Sequence, residues 1–354
     1  MLKPWQFLQS STYLLAKESE DREIEVNKIF TEGPMAKDSL LELNYKGHRE
    51  IIVGQRTSKT DCIAYWIQKN KQLAKFFFKK AGINVSEGQI FNYSDSREIL
   101  SFCHKIKFPV VIKPLSGIQG KHVFVDLNSD QKVRAALAEF KNTKFKKIIV
   151  EKMFFGKEYR LLATKDKFVA ATLRVPANVV GDGFHTIKDL IKEKNMDTRR
   201  GMSHEKSLVK IKVDEAVRMN LKKQKKNLDC IPKKGEQIFL RANSNISTGG
   251  DSYDSTEDIH PEVKKLAVKV IRAIPGLGFG GIDYLTTDVT KKPNKKNYII
   301  IEVNDSPMLS IHHEPYSGKP RNAAGAIIDQ LYPETVKKLK RKKPSKKSRG
   351  SAKR

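Results

Sequence analysis

Residues 109–125 read PVVIKPLSGIQGKHVFV. The run 108–113 is rich in β-branched residues and predicts a buried strand ending on Lys113. A turn carrying Ser116, Gly117, Gly120 and Lys121 follows, and 122–125 predicts a second strand. Glycines let backbone N–H groups approach an anion closely, and a strand-end lysine adds fixed charge, so the pattern suits a phosphate site. The competing reading is an ordinary hairpin with an exposed lysine, because short Gly-rich patterns recur by chance.

Two stretches downstream add chemistry. Residues 298–307, YIIIEVNDSP, are an apolar strand that delivers Glu302 and Asn304 two positions apart, hence on one face. A carboxylate beside an amide oxygen is hard-oxygen chemistry suited to Mg²⁺ on ATP phosphates. Asp283, in GGIDYL (280–285), offers another oxygen. Residues 150–163, VEKMFFGKEYRLLA, end a strand at Glu151, pass an apolar hinge (Met153, Phe154, Phe155) and turn at Gly156 into a strand bearing Glu158 and Arg160. An apolar hinge suits a base, and Glu158 suits ribose hydroxyls. Each stretch also reads as an ordinary strand end or core hairpin.

The rest of the chain predicts strands and helices in irregular alternation, often as hairpin pairs. Strands are expected at 48–53, 147–150, 159–163, 167–175, 237–241 and from 276 to near 285. Helices are expected at 69–81, with Leu73, Phe76, Phe77 and Ala81 on the apolar face, and at 129–140 behind a Ser129 cap, 186–194, 261–273 and 321–331. Residues 1–47 are mixed, and 243–254 read as a polar Gly/Ser loop. This order predicts α+β subdomains with antiparallel sheets rather than one doubly wound sheet.

Composition narrows the function classes. Hydrophobic residues make up 39% of the 354, which suffices for a packed core. The net charge of +28 points to anionic partners and says nothing of fold. Eleven of the Lys and Arg residues lie in 337–354; without them the body remains at +17. The three cysteines, Cys62, Cys103 and Cys230, are far apart and lack CxxC spacing, which argues against a disulfide framework or zinc site and for a reducing, cytoplasmic setting. No basic-then-apolar leader and no apolar run near the roughly 20 residues of a membrane span are evident.

Seven ordered motifs resemble the ATP-grasp ligases, and within them cyanophycin synthetase and its relatives: NKQLAKFFFKKAGINVSEG (70–88), PVVIKPLSGIQGKHV (109–123), EKMFFGKEYRLLA (151–163), RVPANVVGDGFHTIKDLI (174–191), FLRANSNISTGGDSYD (239–254), GFGGIDYL (278–285) and IIIEVNDSPMLSIHHEPYSGKPRNAAGAII (299–328). The resemblance implies an ATP-grasp fold with ATP between two α+β lobes. The expected boundaries are a short N-terminal subdomain (1–68), the ATP-grasp domain (69–333, its central lobe about 105–175) and a disordered basic tail (334–354). It implies an ATP-dependent carboxylate–amine ligase that works through an acylphosphate and releases ADP and phosphate.

Carried over residue by residue, Lys71 and Lys113 contact phosphates beneath a loop holding Ser116, Gly117, Gly120 and Lys121. Glu151 and Phe154 face adenine, and Glu158 the ribose. Asp283, Glu302 and Asn304 hold Mg²⁺, with Mn²⁺ as the alternative ion. Arg241 and Asn245 steady the γ-phosphate or acylphosphate, and Arg160 and Arg174 meet substrate carboxylates through their bidentate forks. His122 stands where the relatives have Gly, and Asn70 where they have Asp. The further domains of cyanophycin synthetase, with their P-loop, have no counterpart in these residues, so the resemblance leaves the substrate open: a small amino acid or an acidic peptide.

His312 and His313 read as part of a substrate-side loop, with Arg321 as an anion contact, rather than as metal ligands, because adjacent residues on an extended chain point apart. The tail lacks aromatic residues, so it suits phosphate-driven or acidic-protein binding rather than base stacking. An alternative function follows from the charge: a nucleotide-gated binder of nucleic acid or acidic polypeptide without ligase turnover. A homo-oligomer is compatible with all of this.

Overall fold

The computed structural model describes residues 10–29, 40–115 and 122–336. Ser116, Gly117, Gly120 and Lys121 of the expected phosphate loop therefore lie outside the described residues, as does the tail from 337.

The chain opens with helix α1 (Ser10–Asp21) and a three-stranded antiparallel sheet, β1 (Glu25–Lys28), β2 (Leu40–Tyr45) and β3 (His48–Val53). Helices α2 (Cys62–Lys69) and α3 (Lys71–Lys80) follow back to back. Asn70 separates them: its side chain accepts from the backbone N–H groups of Gln72 and Leu73, so α3 starts two residues later than the apolar periodicity predicts. Asn does this as well as Asp does, and the departure from the relatives' pattern leaves the cap intact. Gly82 at φ +67° ends the helix, as expected.

The buried face of α3 differs from the expected one. Ala74, Lys75 and Phe78 turn inward, while Leu73 is 38% and Phe76 is 58% exposed. The reason is electrostatic: a lysine is drawn into the interior by a buried carboxylate, and the helix rotates with it.

A small lobe comes next: β4 (Gly88–Asn92), α4 (Ser96–Ile106), β5 (Val110–Pro114), β6 (Phe124–Leu127), α5 (Asp130–Phe140) and β7 (Lys147–Lys152). Its four strands run in the order β4-β7-β5-β6, all antiparallel. Ile112, Ile148 and Val150 face α4 and α5 in one core with Ile99, Val133 and Phe140. By alternation Lys113 and Glu151 face the other way. His122 holds φ +55° and lies against the ring of Phe145 at 5.7 Å between centroids. The Gly of the relatives would adopt this backbone without strain; here the ring contact offsets a cost of about 1–2 kcal/mol.

The large lobe follows: β8 (Lys157–Thr164) and β9 (Phe168–Val175), then an insertion of β10 (Asn178–Val180), α6 (Ile187–Lys194), β11 (Arg200–Gly201), β12 (Leu208–Val209), α7 (Glu215–Lys223) and β13 (Gln237–Phe239). The lobe resumes with β14 (Asp251–Asp254), α8 (Pro261–Ala273), β15 (Phe279–Thr286), β16 (Tyr298–Asn304), α9 (Ser310–His313) and α10 (Ala323–Leu331). Five strands make an antiparallel sheet in the order β14-β9-β8-β15-β16. The expected loop 243–254 thus ends in an edge strand. Its polar residues hid it from pattern reading, because Asp251 is buried on cations rather than among apolar groups.

One face of this sheet packs on α2, α3 and α8 through Tyr159, Leu161, Ile282, Tyr284 and Ile300. On the other face Leu162 and Phe279 join a core shared with α1, β2, β3 and α10. The insertion has a core of its own, with Ile187, Ile191, Val217, Leu221 and Ile238 at its centre. The expected tail begins in ordered structure: Thr335 is fully buried and takes a hydrogen bond from Arg22 at 3.2 Å. Among the described residues no helix is long and apolar enough to cross a membrane.

The two lobes join at residues 153–156. Gly156 is required there by a close approach: a Cβ would stand 2.5 Å from the Thr286 carbonyl oxygen and 3.2 Å from the Phe154 ring. Gly156→Ala is expected to lower stability by about 1–3 kcal/mol, the range for overpacking, read as a fall in the thermal midpoint. A midpoint unchanged from wild type would show that the hinge yields instead.

Candidate active site between the two lobes

The site is built from one row of residues, one helix and one lysine strand. The row crosses all five strands of the large sheet in register: Asp254 opposite Thr172, Thr172 opposite Arg160, Arg160 opposite Asp283, and Asp283 opposite Glu302. Asn304 lies two pairs further along, on the same face, opposite Gly281. Gly281 makes room for a cation: a Cβ there would meet Nη1 of Arg160 at 2.9 Å.

Helix α3 links the lobes. Lys71, in its first turn, stands 3.8 Å from Glu302 of the large sheet. Lys75, one turn on and so on the same side, is ion-paired with Glu151 of the small sheet. Lys113 reaches the other oxygen of Glu151 at 2.9 Å. Two lysines thus share one carboxylate that is 5% exposed, and the cluster keeps a net positive charge. Burial alone would raise the Glu151 pKa; the Lys113 and Lys75 ammoniums outweigh it and hold it down to about 2. Burial pushes the Lys75 pKa down, against the pull of Glu151. Lys75 went unread in the sequence because a lysine at the fifth position of a Lys-rich helix carries no signal; only the burial of Glu151 reveals it.

Several expected residues are already engaged. Arg160 Nε bonds Asp283 Oδ1 at 2.6 Å, and Arg174 Nη2 bonds Asp283 Oδ2 at 3.0 Å. Arg174 also pairs with Glu158, whose second oxygen accepts from Ser244 Oγ. Burial would raise the Asp283 pKa, but the two guanidiniums lower it. The structure therefore differs from three expectations. Arg160 and Arg174, expected to meet substrate carboxylates, are held by carboxylates of the chain. Both oxygens of Asp283, expected on a metal, are on arginines. Glu158, expected at the ribose, is bonded on both oxygens. The physical reason is common to all: side chains opposite one another on one sheet face neutralise each other before any ligand arrives.

Glu302 and Asn304 remain the pair that fits a hard cation. Among the described residues there is no group of three or more His, Cys, Asp or Glu suited to hold a metal. A carboxylate and an amide oxygen on one strand match the few protein ligands that Mg²⁺ takes while keeping waters and phosphate oxygens. The turn after them is fixed from the N-terminal segment: Arg56 grips Asp305, 1% exposed, with Nε at 2.7 Å and Nη2 at 3.2 Å. Sequence reading passed over Arg56 because its partner lies 249 positions away. Arg56→Ala leaves a buried carboxylate without its cation and is expected to cost about 3 kcal/mol, measured by denaturant unfolding. A loss below about 0.5 kcal/mol would mean that water replaces the guanidinium.

Arg241 bonds Asp214 at 2.6 Å, and its Nε is buried without a partner. Asn245 accepts from Ser247 N at 3.4 Å within its own loop. Phe154 is half-buried at the hinge, and its neighbour Phe155 is 61% exposed. His312 is buried against Thr172 Oγ1 at 2.7 Å, and His313 Nε2 accepts from Ala324 N at 3.0 Å. Burial lowers their pKa values to about 3 and about 4, so both rings are neutral at pH 7. Arg321 is taken by Asp254 and Glu257 rather than left for an anion.

Two antiparallel lobes bridged by α3, with buried lysines at one and a carboxylate and an amide on β16 of the other, are the ATP-grasp architecture. Residues 69–178 match the family described as phosphoribosylglycinamide synthetase, ATP-grasp (A) domain. The chain belongs to the ATP-grasp superfamily. It is 35% identical over 327 residues to the cyanophycin synthetase of Trichormus variabilis, a match that covers 92% of this chain and 35% of that protein. It is 37% identical over 305 residues to the glutathione biosynthesis bifunctional protein GshAB of Mannheimia succiniciproducens, covering 84% of this chain and 40% of that protein. The solved structure of a bifunctional glutathione synthetase from Pasteurella multocida superposes with a TM-score of 0.70 at 34% identity, over 93% of this chain and 44% of that one. The chain thus spans between a third and a half of the length of these relatives.

Proposed function

We propose that this chain is an ATP-dependent ligase that joins a carboxylate to an amine. The observation that carries the proposal is the span of α3: Lys71 at Glu302 and Lys75 at Glu151 bring the ligands of the large lobe and the cations of the small lobe to one cleft. The relatives named above, cyanophycin and glutathione synthetases, support the same class.

In this reading the substrate carboxylate attacks the γ-phosphorus of ATP, and ADP leaves. The amine then attacks the acyl carbon, phosphate leaves, and the amine's proton passes to solvent or phosphate. Lys113 and Lys71 bind and orient the phosphates, and Phe154 receives adenine at the hinge; Glu151, expected to face adenine, has both oxygens on Lys75 and Lys113 and would have to leave one of them to do so. Glu302 and Asn304 would hold Mg²⁺, which would supply charge neutralisation at the phosphate oxygens. Binding of the nucleotide would have to draw Glu158 from Ser244 and Asp283 from its arginines for these two to serve as ribose and metal ligands. Arg160 and Arg174 would meet substrate carboxylates only after the same exchange. The carboxylate donor is an amino acid or acidic peptide. Residues 69–333 carry the reaction in this reading. The cysteines, all free, fit work in the reducing cytoplasm.

The second reading, a polyanion binder without turnover, rests on the +28 charge. It gives no reason for a carboxylate and an amide to stand ready on β16, and is the less favoured. The discriminating experiment incubates the protein with ATP, Mg²⁺ and pools of amino acids and acidic peptides. Released phosphate is measured, and products are sought by mass spectrometry as two components joined with loss of water. Absence of phosphate release and of any joined product from every pool would refute the ligase reading.

A further inference from the structure

Helices α2 and α3 use their inner faces for the core and the candidate site, and nothing above uses their outer faces. Those outer faces are apolar at their centres. On α2, Ala64 and Ile67 turn inward, while Trp66 is 67% and Ile63 is 57% exposed. On α3, the rotation that buries Lys75 leaves Leu73 and Phe76 outside. Each helix thus presents one aromatic and one aliphatic side chain three positions apart, hence as neighbours on one face. Large apolar side chains scattered singly over a surface need no explanation. Two such pairs, on helices joined at the single residue Asn70, mark an interaction site.

The charges fix the chemistry of the partner. Residues 62–80, CIAYWIQKNKQLAKFFFKK, contain five lysines and no acid. Lys71 and Lys75 are taken up by Glu302 and Glu151 on the inner side. Lys69, Lys79 and Lys80 are exposed, and none of the three is in an ion pair among the described residues. Lys69 follows Trp66 by three positions, and Lys79 and Lys80 follow Phe76 by three and four, so each ammonium rims an apolar centre. An apolar centre with an unneutralised basic rim calls for an anionic partner.

The side chains favour lipid among anionic partners. Nucleic acid would leave the aliphatic Ile63 and Leu73, which cannot stack on bases, in water. A folded acidic protein would need cavities matched to four projecting side chains, whereas a bilayer interface receives them without any. Basic helices with Trp, Phe and aliphatic residues on one face lie at the headgroup–acyl boundary, their lysines reaching back to the phosphates.

We propose that the outer face of α2 and α3 docks this protein on an anionic lipid surface. The attachment is peripheral, since among the described residues no helix is long and apolar enough to cross a membrane. The inference stands on the exposed faces and their charge, and does not depend on the ligase reading. Because Lys71 and Lys75 lie on the inner side of the same α3, docking would bring the candidate site within a helix diameter of the lipid.

The test sediments the full chain with vesicles of phosphatidylcholine, alone or mixed with phosphatidylserine. The wild type is expected to bind the mixed vesicles at least about tenfold more tightly, and added salt should weaken that binding. Trp66→Ser combined with Phe76→Ser should keep the thermal midpoint, because both side chains are exposed, and should lower the affinity at least about tenfold. Lys69→Gln, Lys79→Gln and Lys80→Gln together should lower it by a similar factor. Trp66 also reports directly: with Trp5→Phe it is the sole tryptophan, and its emission should shift to the blue on mixing with the anionic vesicles. A double serine variant that binds as the wild type does would show that the basic tail or net charge alone holds the protein, and overturns the proposal. Equal binding to both kinds of vesicle overturns it too. So does absence of binding to the mixed vesicles, the result expected of a face that serves an acidic protein or nucleic acid. If the serine variant has a lowered midpoint, the Trp66 emission decides, and an unshifted spectrum sinks the idea.

Discussion

Glu302→Ala is expected to reduce phosphate release at least about 10³-fold while leaving the fold intact. The fall follows from removing the one carboxylate at this site whose oxygens are not both bonded within the chain. Charge that builds on the transferring phosphoryl group then goes unmet in the cleft, and clamps of this kind contribute on that scale. The fold should survive because the Glu302 side chain is 33% exposed and meets Lys71 only at 3.8 Å. A partly exposed pair at that separation contributes little, so stability should stay within about 0.5 kcal/mol of wild type. Phosphate release is the primary readout, and circular dichroism controls for folding. Turnover within tenfold of wild type would remove Glu302 from the metal site and shift attention to Asp283. Excess Mg²⁺ should not rescue the variant fully, because the loss is of geometry as well as affinity.

Glu151→Gln is expected to be the most destabilising of the conservative substitutions, at about 3–5 kcal/mol. It leaves the Lys113 and Lys75 ammoniums buried beside a neutral amide, and breaking a buried pair from one side costs on that order. The same carboxylate predicts a pH dependence. Its folded pKa lies at about 2, below the ordinary carboxylate value of 4.5. A depressed carboxylate contributes stability that is present above its unfolded pKa and lost as pH falls towards its folded one. The wild type should therefore lose stability between about pH 4.5 and pH 2, and the variant should lack that component. Urea unfolding across this window measures it. Parallel curves for the two proteins would show that Lys75 and Lys113 are not the partners that matter. Loss of Glu151 should also weaken ATP binding, since the cluster sets where Lys113 points.

Much of the fold was legible because its elements are governed by local rules. Helix α8 runs from Pro261 to Ala273 as its periodicity predicts, with Pro at its start. The Ser129 cap and strand β16 follow in the same way, since a cap and an apolar strand declare themselves within a few residues. What was missed shares a physical cause. The edge strand β14 is polar because Asp251 is satisfied by Arg200 and Lys194, far away in sequence. Helix α3 buries Lys75 in preference to Leu73 because a carboxylate on another lobe outweighs apolar periodicity. Helix α4 is the exception: Ile99, Leu100, Cys103 and Ile106 are buried at helical spacing, so it was legible and went unread.

For the candidate site the division is similar. The residue types and their order, Lys113 before Glu151 before Asp283 before Glu302 and Asn304, are properties of the chain and place it in its superfamily. Which of them are ready for a ligand is decided by contacts across the sheet. Arg160, Arg174, Glu158 and Asp283 look equally available in the sequence, and the register of β8, β9 and β15 sets them against one another. Glu302 and Asn304 are less engaged: β16 is one of the sheet's two edge strands, and Glu302 meets Lys71 of α3 at 3.8 Å. Sequence by itself determined the fold class and pointed to the phosphate chemistry proposed above, since both draw on local patterns of strand, turn and strand-end charge. Only the tertiary structure decided that α3 spans the two lobes, that Lys75 pairs with Glu151 and Arg56 with Asp305, and that Asp214 holds Arg241, because electrostatic pairing depends on distance in space and carries no mark along the chain.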